Sequence, residues 1–419
     1  MGSSSNKRRT QYDKRMTVLA DTAISPAQAV MDLERAHLLQ NYARYPLVLD
    51  RGRGCWLYDV EGKRYLDLIS GIGVNSLGHA HPRITRVIRE QAARLIHSSN
   101  LYYHSYQGPL ARILCQTSGL DRVFFCNSGT EAVEGAIKMM HAHGRRIAPE
   151  KTEIVALENS FHGRTIGALS LTGQPKYRQD FEPLMPGVRF VNLCDEASFE
   201  AAVTERTAGI IVEPIQGEGG IYPISPQWLR WARQLADRHN ALLVFDEIQC
   251  GIGRPGVHFA YQLHEPAVLP DIVTLAKPIA CGLPLGAIAV NEKAASAIAP
   301  GMHGTTFGGG ALACRVALEF YEILEELLPQ MRRVGAYFFE RLRQLQRRYS
   351  FIRDVRGFGL MIGVETDFPC KHFVTEGMQE GLLFNVTHEN VIRMLPPYII
   401  TEREVNRAIA GLNRIFRRV

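Results

Sequence analysis

The chain has 419 residues, 46% hydrophobic and 21% charged, which allows two globular domains and is ordinary for a folded protein. Its formal charge of +6 is largely local: Lys7, Arg8, Arg9, Lys14 and Arg15 against Asp13 supply +4 and leave about +2 for the body, so no nucleic-acid partner is expected. Pro, Gly and polar residues interrupt every apolar stretch well short of a membrane span, so no membrane partner is expected either.

The opening MGSSSNKRRTQYDKR has no apolar core of a secretory signal, and Asn6 stands where myristoylation needs Ser or Thr. Residues 1–24 are read as a disordered basic tail. Eight cysteines are dispersed without a CxxC pair, as expected of reduced thiols in a cytoplasmic protein. His79 and His81 lack a second pair of ligands nearby, so no metal is expected.

Residues 45–71, YPLVLDRGRGCWLYDVEGKRYLDLISG, alternate short β-rich runs with turn signals at Arg51-Gly52 and Glu61-Gly62, which predicts a small meander. PRITRVIREQAARLIH follows with helical spacing, apolar at 84, 87, 88, 92, 95 and 96. The middle predicts strands at 122–126, 153–158, 208–214, 241–246, 271–275 and 285–290, with a helix over 226–240. Short, nearly continuous apolar strands separated by helices predict an α/β fold with a mainly parallel sheet covered on both faces. A long helix from Ala311, broken at Pro329, leads into a last αβ segment. The expected division is a segment 25–75 that joins a small C-terminal domain (316–419), around a large domain (76–315).

Three strand ends carry the candidate chemistry. After RVFFC, the stretch Ser128-Gly129-Thr130-Glu131 has the pattern of a capping box, and its first-turn N–H groups would suit a phosphate. ALLVFD ends in Asp246, which needs a cationic or N–H partner to remain ionised among apolar residues. Lys277 follows DIVTL in an uncharged run, where burial lowers an amine pKa and makes it a nucleophile toward carbonyls. Taken singly, these are a helix cap, a structural ion pair and a lysine with its head in solvent. Together they match what pyridoxal phosphate needs: a phosphate cradle, a carboxylate for the pyridine nitrogen and an amine for the imine. GIGRPG (251–256) matches a dinucleotide fingerprint, but Pro255 and Gly256 disfavour the helix such a site requires. It is read as a loop.

From about Tyr42 onward the chain resembles the class III aminotransferases of pyridoxal-phosphate fold type I, most closely those acting on acetylornithine. The resemblance is carried by NLYYHSYQGPLARIL, FFCNSGTEAVEGAIK, FHGRTIGALSLTGQPKYRQDFEPL, VEPIQGEGG, VFDEIQCGIGRPG, AKPIACGLPLGA, HGTTFGGGALAC and VIRMLPPYI. It implies that Lys277 holds the cofactor as the internal aldimine and shuttles the proton. Asp246 would pair with the pyridine nitrogen, and Gln249 would lie near O3′. Phe161 and Ile248 would flank the ring. Ser128, Gly129 and Thr130 would bind the phosphate, with Thr306 and Thr305 contributed across a homodimer interface.

The resemblance also implies a grip by Arg164 on the distal carboxylate and by Arg393 on the α-carboxylate of 2-oxoglutarate or glutamate. Glu218 would neutralise Arg393 while the amine donor is bound, and Tyr42 and Glu213 would also meet substrate. Ile72 stands where ornithine aminotransferases tend to carry a tyrosine, which favours an acylated amine. The expected reaction moves the δ-amino group of N2-acetylornithine to 2-oxoglutarate by a ping-pong route. Succinylornithine, carrier-bound or acylated lysine, ornithine and 4-aminobutyrate are the alternative donors. An aminomutase or decarboxylase would use the same fold, and an NAD-dependent dehydrogenase is the alternative from another class.

Overall fold

Strand Leu242–Asp246 is buried along its whole length, and its successive side chains enter two different cores. Leu243 and Phe245 join one apolar cluster, Leu242 and Val244 another. A strand alternates its side chains between the two faces, so such a run is stable only when both faces are covered. In the computed structural model, which describes residues 25–419, helix Gly129–Ile147 covers one face through Ala132, Val133, Ala136 and Met140. Helix Pro226–Arg238 covers the other through Trp228, Leu229, Ala232 and Leu235. The basic segment 1–24 lies outside the described residues.

In chain order, the strands begin with an antiparallel meander of β1 (Leu49–Arg53), β2 (Trp56–Asp59) and β3 (Arg64–Asp67). Next come β4 (Arg122–Cys126), β5 (Glu153–Leu157), β6 (Val188–Val191) and β7 (Thr207–Val212), then a short hairpin of β8 (Ile215–Gln216) and β9 (Tyr222–Pro223). They are followed by β10 (Leu242–Asp246), β11 (Ile272–Leu275) and β12 (Gly286–Val290). The seven-stranded sheet has the order β4-β12-β11-β10-β7-β5-β6. It is parallel except for β12, which runs against both its neighbours. Mainly parallel was the expectation; β6, a short edge strand of four residues, was not foreseen.

The C-terminal part contains β13 (Ile352–Phe358), β14 (Met361–Thr366), β15 (Leu382–Leu383), β16 (Asn385–Thr387) and β17 (Val391–Met394). Strand β15 adds to the N-terminal meander by pairing in parallel with β3, while the other four form their own antiparallel sheet. Two expectations fail. The helix Ala311–Arg348 runs for 38 residues straight through Pro329. A proline inside a helix costs about 3 kcal/mol, and here Leu328, Met331 and Val334 are buried around it, each contributing about 1.5–3 kcal/mol. The helix Pro82–Ala92 stops before Leu95 and Ile96, which remain exposed, because the Gln91 side chain donates to the Leu95 carbonyl at 2.7 Å as the chain turns away. Among the described residues no helix is long and apolar enough to cross a membrane.

Candidate active site

Parallel pairing of β10 with β11 brings Asp246, the last residue of one, and Lys277, two residues beyond the other, to the same edge of the sheet. Helix Gly129–Ile147 opens at that edge too, after β4. Between them lies a cleft of about 360 Å³, beyond the carboxyl ends of the parallel strands where such sheets bind ligands. Of the residues named from the sequence, Ser128, Gly129, Thr130, Phe161, Arg164, Glu213, Asp246, Ile248, Gln249 and Lys277 line it.

The helix start is built for close approach. The Ser128 hydroxyl accepts from the Glu131 N–H at 3.3 Å, and the Glu131 carboxylate reaches back to the Asn127 N–H at 2.6 Å, one residue beyond the reciprocal bond the sequence pattern predicts. The N–H groups of Gly129 and Thr130 have no acceptor within the helix, and the helix end favours an anion. A Cβ on Gly129 would lie 2.8 Å from Ile248 Cδ1, so only glycine lets this helix begin against Ile248. The Thr130 hydroxyl is otherwise engaged. It lies 2.9 Å from the Thr165 hydroxyl and accepts from the N–H groups of Arg164 and Thr165, both at 3.3 Å.

Asp246 is held from two sides. Its Oδ2 meets His162 Nδ1 at 2.8 Å, and its Oδ1 accepts from the Ile248 N–H at 3.1 Å. Lys277 reaches the cleft from an enclosed stem. Its pKa lies below the ordinary lysine range, mainly because burial penalises the ammonium; Glu218 and Asp246 oppose that shift and Arg393 adds to it. Glu213 accepts N–H bonds from Phe161 at 2.9 Å and Gly217 at 3.1 Å. Its pKa is pushed up to about 7, chiefly by burial, with His162 opposing and Asp246 adding.

The two arginines differ in setting. Arg164 is exposed, its guanidinium 4.2 Å from the Tyr177 ring centroid and 5.4 Å from that of Phe161, and among the described residues it has no carboxylate at ion-pair distance. Arg393 on β17 is 1% exposed; its Nη1 donates to Glu218 at 2.5 Å and to Gln249 Oε1 at 3.2 Å, and its Nε donates to Asn385 Oδ1 at 3.1 Å. Burial alone would raise the Glu218 pKa; the Arg393 charge and hydrogen bond outweigh it and hold the carboxyl below its usual range.

Several predicted residues are not among those lining this cleft of the single chain. Glu218 and Arg393 meet it through Gln249, which does line it. Tyr42 is 71% exposed and lies with the N-terminal segment. Ile72 is not among the lining residues, although its neighbour Val74 is. Thr306 is exposed, and Thr305 accepts from Asn127 Nδ2 at 3.0 Å within its own chain. Sequence reasoning missed His162 and Tyr177. The signal for His162 was its place in FHGR between Phe161 and Arg164, but its partner Asp246 is 84 residues away.

Residues 39–416 match the family model for class-III aminotransferases. The acetylornithine aminotransferase of Methanocaldococcus jannaschii is 45% identical over 389 residues, covering 92% of this chain and 97% of that protein. An ornithine aminotransferase from Toxoplasma gondii shares the fold with a TM-score of 0.91 at 33% identity, covering 98% of both chains. The acetylornithine aminotransferase from Elizabethkingia anophelis superposes with a TM-score of 0.82 at 31% identity over 94% of this chain and 99% of that one. These likenesses span the sheet, the cleft and the C-terminal arginine alike, and by them the chain belongs to the class-III aminotransferases, with the type I fold.

Proposed function

We propose that the protein is a pyridoxal-phosphate-dependent ω-aminotransferase that moves the δ-amino group of N2-acetylornithine to 2-oxoglutarate, giving N-acetylglutamate 5-semialdehyde and glutamate. The observation that carries the reading is the convergence of Lys277, Asp246 and the Ser128–Thr130 turn on one cleft. Pyridoxal phosphate fits this set: open N–H groups and the helix end for its phosphate, a held carboxylate for its ring nitrogen, and an amine of lowered pKa for its carbonyl. When bound, it supplies a carbonyl that takes up amino groups and a conjugated ring that accepts the electrons of the broken C–H bond.

The chain's own residues would divide the remaining work. Asp246, oriented by His162 and the Ile248 N–H, keeps a proton on the ring nitrogen. Phe161 and Ile248, which line the cleft, would flank the ring, and Gln249 would lie near its phenolic oxygen. Lys277, whose burial lowers the cost of losing its proton, would supply the amine that attacks a carbonyl. Its Nζ would serve as the base that takes the proton from the carbon bearing the reacting amine, and would hold that proton for its return. Arg164 binds the distal carboxylate. Arg393 binds the α-carboxylate of the keto acid, and Glu218 occupies that charge when the donor has no carboxylate to offer there.

The cleft would be completed by a second copy. Ile96, Leu101, Tyr102, Tyr103 and Phe307 are exposed on neighbouring segments, which Asn100 ties together by donating to the Thr305 and Gly308 carbonyls at 3.3 and 3.0 Å. An apolar patch of this kind supports a homodimer that also brings Thr305, Thr306, Tyr42 and Ile72 toward a shared site. The pairing of β15 with β3 supports grouping 25–75 with 316–419 as the smaller domain. Eight free thiols are consistent with a cytoplasmic location.

A second donor, free ornithine, is favoured by the likeness to the Toxoplasma gondii enzyme. Glutamate formation from 2-oxoglutarate is to be compared across N2-acetylornithine, succinylornithine, ornithine, acylated lysine and 4-aminobutyrate. The acetylated donor should give the highest kcat/KM. A preference of orders of magnitude for ornithine or 4-aminobutyrate would overturn the choice of donor.

A further inference from the structure

The turn before Val74 adopts a backbone that its sequence does not favour. Ser70, Gly71, Ile72 and Gly73 have φ values of 44°, 63°, 60° and 81°, a left-handed run of four residues. Glycine enters this region freely; a β-branched isoleucine is among the side chains that resist it most. Such a turn persists only where its surroundings over-determine it.

Its first half is held by Asp67, whose Oδ1 accepts from the N–H groups of Ile69 at 3.0 Å and Ser70 at 2.7 Å, and by the Ser70 hydroxyl, which donates to the Leu395 carbonyl at 2.5 Å. Its second half leads to Arg254, the arginine of the GIGRPG loop. Arg254 Nη2 donates to the Ser76 hydroxyl at 3.0 Å, and that hydroxyl donates to the Gly73 carbonyl at 3.0 Å. Arg254 Nη1 donates to the carbonyls of Pro396 at 2.5 Å and Leu360 at 3.3 Å, and the guanidinium lies 4.5 Å from the Tyr398 ring centroid. The Tyr398 N–H closes the ring of contacts by donating to the Ser76 carbonyl at 2.6 Å.

Arg254 is 1% exposed, and among the described residues its hydrogen-bond partners are two carbonyls and a hydroxyl, with no carboxylate at ion-pair distance. A buried cation without a counter-ion is costly, so filling space is a poor account of it. What it holds lies against the stem of Lys277. A Cβ on Gly73 would sit 3.9 Å from Lys277 Cδ and 3.8 Å from Arg254 Nη2, and the next residue, Val74, lines the cleft. Asn75 reaches the opposite wall: its Oδ1 would lie 2.8 Å from a Cβ on Gly282, another lining residue.

We infer that Arg254 is a positioning residue: through Ser76 it locks the Ser70–Gly73 turn in its left-handed form, which fixes the substrate wall of the cleft and the lie of the Lys277 stem. The kinetic half of its test rests on the proposed transamination, the thermal half does not. Removing the lock should release the strained turn, and making the turn glycine-like should remove the need for the lock.

The test is a double-mutant cycle of Ser76→Ala and Ile72→Gly in the cofactor-loaded protein, with Arg254→Met as a stronger variant. Ser76→Ala keeps the fold if Arg254→Met does not. Ser76→Ala alone should lower Tm by about 1–3 °C, and most of that loss should vanish in the Ile72→Gly background. Ser76→Ala should also cut the kcat/KM preference for N2-acetylornithine over ornithine about tenfold while cofactor affinity holds. Additive Tm changes with unchanged donor preference would overturn the inference. If the wild type transaminates none of the donors, the proposed reaction fails, and the Tm cycle alone decides whether the lock exists: coupling supports it and additivity overturns it.

Discussion

The proposed cofactor side and the proposed substrate side of the cleft are built by different means. On the first, Ser128, Asp246 and Lys277 sit at or just beyond the ends of buried strands or at a helix start, so the sheet itself sets their spacing. On the second, Arg164 rests on two aromatic rings, Arg393 pairs with a glutamate 175 residues away, and the wall at Val74 hangs from a strained turn. The difference teaches that chemistry common to a family can be fixed by register alone, while the choice of partner is assembled from contacts that span the chain. Variants should therefore separate into two classes, those that lose the reaction and those that lose only its selectivity.

The largest loss belongs to the cofactor side. Lys277→Ala should lower single-turnover glutamate formation by about 10,000-fold, the upper range for a positioned acid–base group, with substrate affinity little changed. A residual rate within tenfold of wild type would break the distinction. Asp246→Ala should cost about 100–1,000-fold in kcat, as expected when a fixed charge is removed from a reacting centre. It also strands His162, whose Nε2 already lacks a partner among the described residues.

On the substrate side the effects should appear in KM. Arg393→Lys removes a planar fork that a carboxylate grips in two places, and should raise KM for 2-oxoglutarate about tenfold to 100-fold while the donor half-reaction keeps its rate. Glu218→Ala should slow exchange between the two half-reactions more than it weakens cofactor binding. Equal loss of both would end the case for Glu218 as the group that covers Arg393. Thr130→Val sharpens the boundary between the two sides. Its hydroxyl serves the Arg164 segment, so KM for carboxylate-bearing substrates should rise several-fold, about 1 kcal/mol for one hydrogen bond, and cofactor affinity should fall less.

Legibility in the sequence follows the same division. Asp246 stood out because it directly follows five apolar residues, and Lys277 because it is the one charge in an uncharged run; both patterns are local. Arg164, Glu218 and Arg393 carried no local sign and were reached only through the resemblance. His162 escaped for the same reason, since nothing within FHGR shows that its ring meets Asp246. Pro329 misled because local helix breaking is outweighed by packing on both sides of it, and β6 escaped because four residues, of which only Val191 is fully buried, leave too short a pattern. The GIGRPG stretch is a loop, as read, yet its arginine was passed over, because a buried guanidinium bonded to carbonyls has no sequence signature.

Glu213 joins the two sides, and the smallest effect is expected there. One oxygen accepts from the Phe161 N–H beside the cofactor cradle, the other from the Gly217 N–H beside Glu218. Burial pushes its folded pKa up to about 7 from an ordinary 4.5, so between those values the folded protein binds the proton more tightly than the unfolded chain. Stability from this group is thus fully present below the ordinary value, declines as pH rises toward about 7, and is flat above. Glu247, also pushed up to about 7 by burial, gives any variant the same background slope. The difference in Tm between wild type and Glu213→Gln isolates the one group. Wild type should lose ground to the glutamine variant by a few degrees between pH 4.5 and 7 and by no more between pH 7 and 8.5. A difference independent of pH across the lower window would mean that the two N–H bonds keep Glu213 ionised, and the joint would then be a fixed charge tied into both sides.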